Sequence, residues 1–383
     1  MLRFLIGFAI LMSAASVAAG EHGAPRDRSG PIDAFVRTTM QERSIPGLAV
    51  AIVQDGETVL EEGFGMASLE LEVPVRPQTV FPIASVTKVF TATLVMKRIE
   101  SGSLTLDQKL GDLLEGIPEA WRQVTLSQML SHTSGLPDVI VNPMTGEWLG
   151  TTREEALAKA GKLPMQFEPG TAWSYNQTNY VLLGAILERQ GGKSFESQLE
   201  EEVFAPLGLA NTVFGDSRRV VPGRGAWYTR IDFSGPEPRL AKEASVSWVA
   251  YPAFVHPCAA LNTTAMELAR FVDRIAAGKV LSPATVETMW RPQTLRDGKP
   301  AGMDPETGMG LGWIVEQPGG RLVVGGTGGA TVAFRHAVAE KLTVVVLTNC
   351  QGANPDAVAS EIRSGPSRRP AASWSEGRKE PGG

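Results

Sequence analysis

Ser85 and Lys88 lie three residues apart in "FPIASVTKVF" (residues 81–90), where a strand-like run gives way to a helical pattern. On a helix this spacing puts both side chains on one face, so the amine can reach the hydroxyl. A serine hydroxyl becomes a nucleophile when a base takes its proton. A lysine can be that base when burial or a cationic neighbour lowers its pKa. The helix N-terminus adds positive partial charge beside a developing oxyanion. The same residues also read as the first turn of an ordinary helix, because a Ser-x-x-Lys pair arises by chance about once in a chain of this length. The choice depends on what else accompanies them.

Two further stretches bear on it. In "FEPGTAWSYNQTNYVLLG" (167–184), Tyr175 follows a Pro-Gly turn and precedes an apolar helical pattern. A tyrosine near a lysine can share its proton, and the phenolate can act as a general base; the alternative is a half-buried loop aromatic. In "VVGGTGGATVAF" (323–334), four glycines surround Thr327 on a strand. Glycines there permit close approach of a ligand or another backbone, and a free N–H could pair with that of Ser85 as an oxyanion hole. A bulge or tight edge would use the same glycines. His22, His132, His256 and His336 are scattered, with no metal-ligand spacing, so neither a metal nor another cofactor is expected. A Gly-x-Ser-x-Gly elbow and a phosphate-binding loop are absent from the sequence.

These residues need elements to position them. "PIDAFVRTTMQERSIPG" predicts an amphipathic helix ending before Pro46, and "LAVAIVQDGETVLEEGFG" predicts a hairpin turning at Asp55-Gly56. A helix is expected from Ser85 to Glu100, closed by Gly102, followed by mostly helix and loop from Leu104 to Ile275. Strand patterns return in "GLGWIVEQPGGRLVVGG", "ATVAFRHAV" and "KLTVVVLTN". The implied fold is α+β: an antiparallel sheet built from N- and C-terminal segments, flanked by helices, with an all-helical subdomain inserted.

With 383 residues and 43% hydrophobic content the chain can bury a large core; its charge of −5 leaves no footprint for nucleic acid or an anionic membrane. Residues 1–19 have the layout of a secretory signal peptide: Arg3, an apolar run, then "SVAAG". A flexible segment follows at 20–30, then a single domain at 31–362, with its sheet from about 31–84 and 305–350 and its helical region at about 100–300. The Pro/Gly/Ser-rich tail at 363–383 reads as disordered. No later run is long enough to span a bilayer, so a periplasmic or secreted protein is expected, in which Cys258 and Cys350 could pair or remain separate.

In order, the three stretches resemble the serine β-lactamase and penicillin-binding superfamily. They are most similar to the branch of class C β-lactamases, D-alanyl-D-alanine carboxypeptidases and related esterases. "SLTLDQKL", "VTLSQMLSHTSGLPD", "PLGLANT", "LNTTAMELARF" and "LTVVVLTN" also match, extending the resemblance from about Ile32 to Asn349. It implies the β-lactamase/transpeptidase-like fold, with Ser85 as the acylated nucleophile, Lys88 its proton partner and Tyr175 the activator of Ser85 and of the deacylating water. The oxyanion hole would be the backbone N–H groups of Ser85 and Gly329. Gln177, Gly326, Thr327 and Gly328 would bind substrate.

Two positions depart from the branch. Gln177 stands for an asparagine and is one methylene longer. Gly326 stands where a Lys or His usually helps hold a substrate carboxylate, an anchor worth about 1.5–3 kcal/mol. An exported serine hydrolase of small esters or amides is therefore expected, with esterase-like activity favoured. A D-Ala-D-Ala carboxypeptidase, D-aminopeptidase or weak β-lactamase acting on peptidoglycan-like substrates is the alternative; a penicillin-binding-like protein without turnover is a further one. On this reading a cation introduced at Gly326 favours carboxylate-bearing substrates over neutral esters.

Overall fold

The runs flanking Asp55-Gly56 pair as a hairpin, β1 (Gly47–Gln54) with β2 (Glu57–Ser68). Asp55 (φ +52°) and Gly56 (φ +83°) both take the left-handed conformation that a two-residue hairpin turn requires. In the computed structural model, which describes residues 29–142, 147–232, 235, 238–304 and 306–365, this hairpin supplies two of the eight strands of the main sheet. A short β3 (Val73–Pro74) extends it, and the rest comes from β4 (Thr307–Met309), β5 (Ile314–Glu316), β6 (Val323–Gly328), β7 (Val332–Ala337) and β8 (Leu342–Thr348). The order is β4-β5-β6-β7-β8-β1-β2-β3, antiparallel throughout. Thus β8 and β1, from opposite ends of the chain, lie side by side, as the strand distribution in the sequence implies.

Alternation along β1 shows why the run is apolar at every position. Leu48, Val50 and Ile52 join one core with Ile32 and Val36 of α1 (Ser29–Glu42) and Val358, Ala359 and Ile362 of α5 (Pro355–Ser364). Ala49, Ala51 and Val53 face the larger core. There, α2 (Thr87–Glu100), α3 (Gln177–Gly191) and α4 (Ala265–Ala276) supply residues such as Phe90, Ile186 and Phe271. A strand buried on both faces has no polar side to show. Helix α2 is likewise buried from Thr87 to Met96, so its one early cation, Lys88, is carried into the interior.

The inserted stretch from 100 to 300 has more helix than strand, but it is not all-helical. It holds the hairpin Tyr228–Asp232 with Arg239–Val246, whose first strand also pairs with Cys350–Gln351. A small sheet joins Phe81–Pro82, Leu261–Thr263 and Val213–Phe214. These strands are two to eight residues long, with alternation too brief to stand out among the surrounding helices. Helix α5 likewise lies where no helix was expected; Asn354 caps it, accepting the N–H of Ala357. Helix α1 begins two residues before the expected domain boundary, and α5 runs two residues past it.

Cys258 and Cys350 are both buried and unpaired. The expected signal peptide and nearly all of the expected tail lie outside the described residues. Among the described residues, no helix is long and apolar enough to cross a membrane.

Candidate active site

Ser85 occupies a short 3-10 turn, Ala84–Val86, that opens directly into α2. The preceding Ala84 has φ +42°, a left-handed conformation that costs a non-glycine residue on the order of 1–2 kcal/mol. Tertiary contacts hold the turn in place. Ile83 N–H donates to Leu261 O (2.9 Å), while the Thr87 hydroxyl donates to Ala84 O (2.7 Å) and accepts the Leu261 N–H (3.3 Å). The small sheet through Leu261–Thr263 therefore fixes the chain just ahead of the serine.

Lys88 follows one helical turn later and is only 4% exposed. A buried ammonium needs acceptors, and two receive it: Gln177 Oε1 at 2.8 Å and the Cys258 carbonyl at 3.0 Å. Its Nζ also lies over the rings of Tyr175 and Tyr180, 4.8 and 5.5 Å from their centroids. The extra methylene of Gln177 is accommodated: the side chain leaves the first turn of α3 and reaches the lysine. Gln177 is 8% exposed, its side-chain oxygen is taken by Lys88, and it is not among the residues lining the cavity that holds Ser85. Truncation to Gln177→Asn is expected to lower kcat/KM by about 10-fold or more, because the shorter amide leaves the lysine proton unpaired. A thermal melt alongside the kinetics separates this from unfolding; kinetics like those of the parent would show that Cys258 O alone suffices.

Tyr175 is 41% exposed, on the loop leading into α3. Its position is set by His132, which the sequence reading passed over. His132 adopts φ +60° after the short helix Leu126–Leu130, and its Nδ1 accepts the Asn176 N–H (3.1 Å). The His132 carbonyl accepts the Ser174 N–H (3.0 Å), and its ring lies 4.6 Å from that of Tyr175, centroid to centroid. Burial, with a smaller contribution from the Lys88 charge, pushes the His132 pKa well below its ordinary value, which suits an imidazole whose Nδ1 is an acceptor. Asp138 completes the support: its carboxylate accepts the Gln177 N–H at 3.1 Å on each oxygen. Burial raises its pKa, a shift that the Gln177 N–H partly offsets. Both residues fall in "SHTSGLPD", a stretch whose resemblance to the family was the one available signal for them.

The end of β6 closes the other side. An ideal Cβ on Gly328 would meet Ile83 O at 2.3 Å and both Ser85 N and Val86 N at 3.0 Å. Only a glycine lets the strand come this close to the helix entrance. Gly329 has φ +56°, and a Cβ there would lie 3.1 Å from that of Ala84. Gly326 is buried beneath the Phe334 ring; an added Cβ would sit 2.6 Å from Phe334 Cε1. The space of the family's cation is thus filled by an aromatic ring from β7, directly across the register.

One cavity of about 830 Å³ brings these residues together: Ser85, Lys88, Tyr175 and the strand Gly326-Thr327-Gly328-Gly329 all line it. His132 and Trp173 also contribute to its wall. Among the described residues, no cluster of His, Cys, Asp and Glu is arranged to hold a metal. The arrangement can place a carbonyl between a hydroxyl, a buried amine, a phenol and backbone N–H groups.

The model of the Beta-lactamase family matches residues 32–363. Penicillin-binding protein 4* of Bacillus subtilis is 27% identical over 78% of this chain and 67% of its own length. A D-aminopeptidase of Gluconobacter oxydans is 28% identical over 79% of this chain and 56% of its own length. The chain thus spans little more than half to two thirds of these curated relatives. Among solved structures, the octameric penicillin-binding protein homologue from Pyrococcus abyssi superposes with a TM-score of 0.71 at 26% identity, covering 88% of this chain and 76% of that one. D-amino acid amidase from Ochrobactrum anthropi SV3 gives 0.74 at 22% identity, covering 89% of this chain and 100% of that one, a likeness of fold.

Proposed function

Since the chain belongs to the Beta-lactamase family, we propose that it is an exported serine hydrolase that cleaves an ester or amide through an acyl-enzyme on Ser85. The observation that carries the reading is Lys88: a buried lysine with two fixed acceptors, one helical turn from a serine held by a strained turn at the cavity wall. In the proposed reaction Ser85 Oγ attacks the carbonyl carbon while its proton passes to the Lys88–Tyr175 pair. The N–H groups of Ser85 and Gly329 would hold the oxyanion. Collapse of the tetrahedral intermediate expels the alcohol or amine, which takes up the proton. Water, activated by the same pair, then attacks the acyl-serine and releases the acid and free Ser85.

Gly326 under Phe334 offers no cation for a substrate carboxylate, which supports substrates with a neutral or non-anionic end, esters foremost. Amide cleavage is the second reading, supported by relatives named D-aminopeptidase and D-amino acid amidase. Export is proposed from the signal-like residues 1–19, with work in the periplasm or medium. Incubation with a fluorophosphonate, followed by intact-mass and peptide mass spectrometry, is expected to show one adduct, on Ser85. An adduct elsewhere, or none with either a fluorophosphonate or a β-lactam, would remove the nucleophile assignment.

A further inference from the structure

The ammonium of Lys88 has a neighbour with no part in the proposed chemistry. Tyr180 follows Gln177 by three residues in α3, so the two side chains share a helix face. Lys88 Nζ lies over the Tyr180 ring, 5.5 Å from its centroid, while Gln177 Oε1 and Cys258 O accept its N–H groups. The Tyr175 ring stands 4.8 Å from the same nitrogen, and the His132 ring packs against both tyrosines, at 4.6 and 5.2 Å. Tyr180 is fully buried and is not among the residues lining the cavity, whereas Tyr175 lines it. One ring of the pair faces the cavity; the other faces only protein.

The place of the buried ring is fixed by the wall behind it. The Tyr180 hydroxyl donates to the Leu130 carbonyl (3.1 Å), which also accepts the Gly312 N–H (3.1 Å). Leu130 ends the short helix that leads into His132, and Gly312 lines the cavity just before β5. Gly312 has φ +86°, and an ideal Cβ there would lie 2.5 Å from Ala92 Cβ and 3.0 Å from the Tyr180 hydroxyl oxygen. A glycine is therefore needed for the phenol to lie this close. Burial foremost, with smaller contributions from Tyr175 and Cys258, pushes the Tyr180 pKa well above its ordinary value, so the ring stays neutral. A neutral aromatic face carries negative charge density and attracts a cation most where water is excluded. Lys88, almost fully buried, is such a cation.

We infer that Tyr180 is a positioning residue for Lys88: its ring face, together with the Gln177 and Cys258 oxygens, seats the ammonium so that the remaining N–H is directed at the Ser85–Tyr175 side. It acts through Lys88 and touches no reacting atom. This deepens the acyl-enzyme reading and rests on it. A purely structural Tyr180 would act through its volume and its hydroxyl; a positioning one acts through the electrons of its ring.

The test uses the full chain and reads two rates: acylation of Ser85 by a fluorophosphonate, followed by intact mass, and hydrolysis of a short-chain aryl ester. Tyr180→Phe keeps the ring and loses the hydroxyl, while Leu130 O retains the Gly312 N–H. This variant is expected to melt lower yet acylate within about threefold of the parent. Tyr180→Leu keeps apolar bulk and loses the ring, and should acylate about tenfold or more slowly. Its KM should stay within about twofold, because residue 180 does not line the cavity. Mono-, di- and trifluorophenylalanine placed at 180 by amber suppression keep the shape while withdrawing charge from the ring face. Acylation should fall stepwise along that series, by about threefold or more in all, at nearly constant melting temperature. A flat or rising series, or a loss in Tyr180→Phe as large as in Tyr180→Leu, would overturn the inference. If Tyr180→Leu does not fold, the fluorinated series still decides. Failure of the acyl-enzyme reading shows separately, as no Ser85 adduct on the unsubstituted protein.

Discussion

Ser85→Ala protein is expected to hydrolyse a short-chain aryl ester at least about 10⁴-fold more slowly than the parent, while melting within a few degrees of it. The two halves of that expectation have different causes. Removing the nucleophile removes the covalent route altogether; what remains is binding and oxyanion stabilisation acting on water. Stability should change little because the turn around residue 85 is held by the main chain of Ile83 and Ala84 and by the Thr87 hydroxyl. Alanine is also well suited to a helix start that lacks a side-chain cap. Hydrolysis by the variant within tenfold of the parent, measured after affinity-tag and activity-based removal of contaminating esterases, would show that another residue is acylated.

Gly328→Ala should produce the second-largest effect, by a different route. The new methyl would overlap Ile83 O at 2.3 Å and press on Ser85 N and Val86 N at 3.0 Å. All three are backbone atoms, so no rotamer change relieves the contact, and β6 must move away from the helix entrance. A displacement of this kind costs about 1–3 kcal/mol of stability. A shift near 1 Å at the oxyanion donors can cost about 10²-fold in kcat. Both a lowered melting temperature and a kcat falling more than KM changes are therefore expected. A variant with the parent's melting temperature and kcat would mean that the strand does not approach Ser85 this closely.

The neighbouring Gly326 behaves differently, because its obstacle is a side chain. A cation there, expected from sequence to favour carboxylate substrates, would first collide with the Phe334 ring. A clean test of that idea pairs Gly326→Lys with a shortened residue at 334. The sequence alone does not reveal this contact, because nothing in "VVGGTGGATVAF" says which face the phenylalanine takes relative to Gly326. The antiparallel register places residues 326 and 334 opposite each other.

His132 shows the same limit. As an isolated histidine without metal-ligand spacing it carried no chemical signal in the sequence. Only the fold brings its Nδ1 under the Asn176 N–H, 44 residues away. The partners of Lys88 are more distant still, 89 and 170 residues along the chain. Short strands such as Leu261–Thr263 escaped notice for a related reason: three residues cannot display a period, yet they anchor the turn before Ser85.

What the sequence by itself determined is what local pattern encodes. The Asp55-Gly56 turn between two β-rich runs specified β1 and its hairpin with β2, and the apolar period of α2 required burial of the helix that bears Lys88. The order of Ser85, Tyr175 and the glycine strand identified the family. Tertiary structure decided the rest. It chose Gln177 and Cys258 as the acceptors that hold Lys88, set His132 beneath the Tyr175 loop, laid Phe334 over Gly326, and gathered Glu316, Arg335 and Asp356 on the cavity wall. Apart from the Gly326–Phe334 pair, which faces across one hairpin, those contacts join residues well separated in the chain. A buried charge is satisfied by whatever acceptor the fold delivers, and local sequence carries no record of which one that will be.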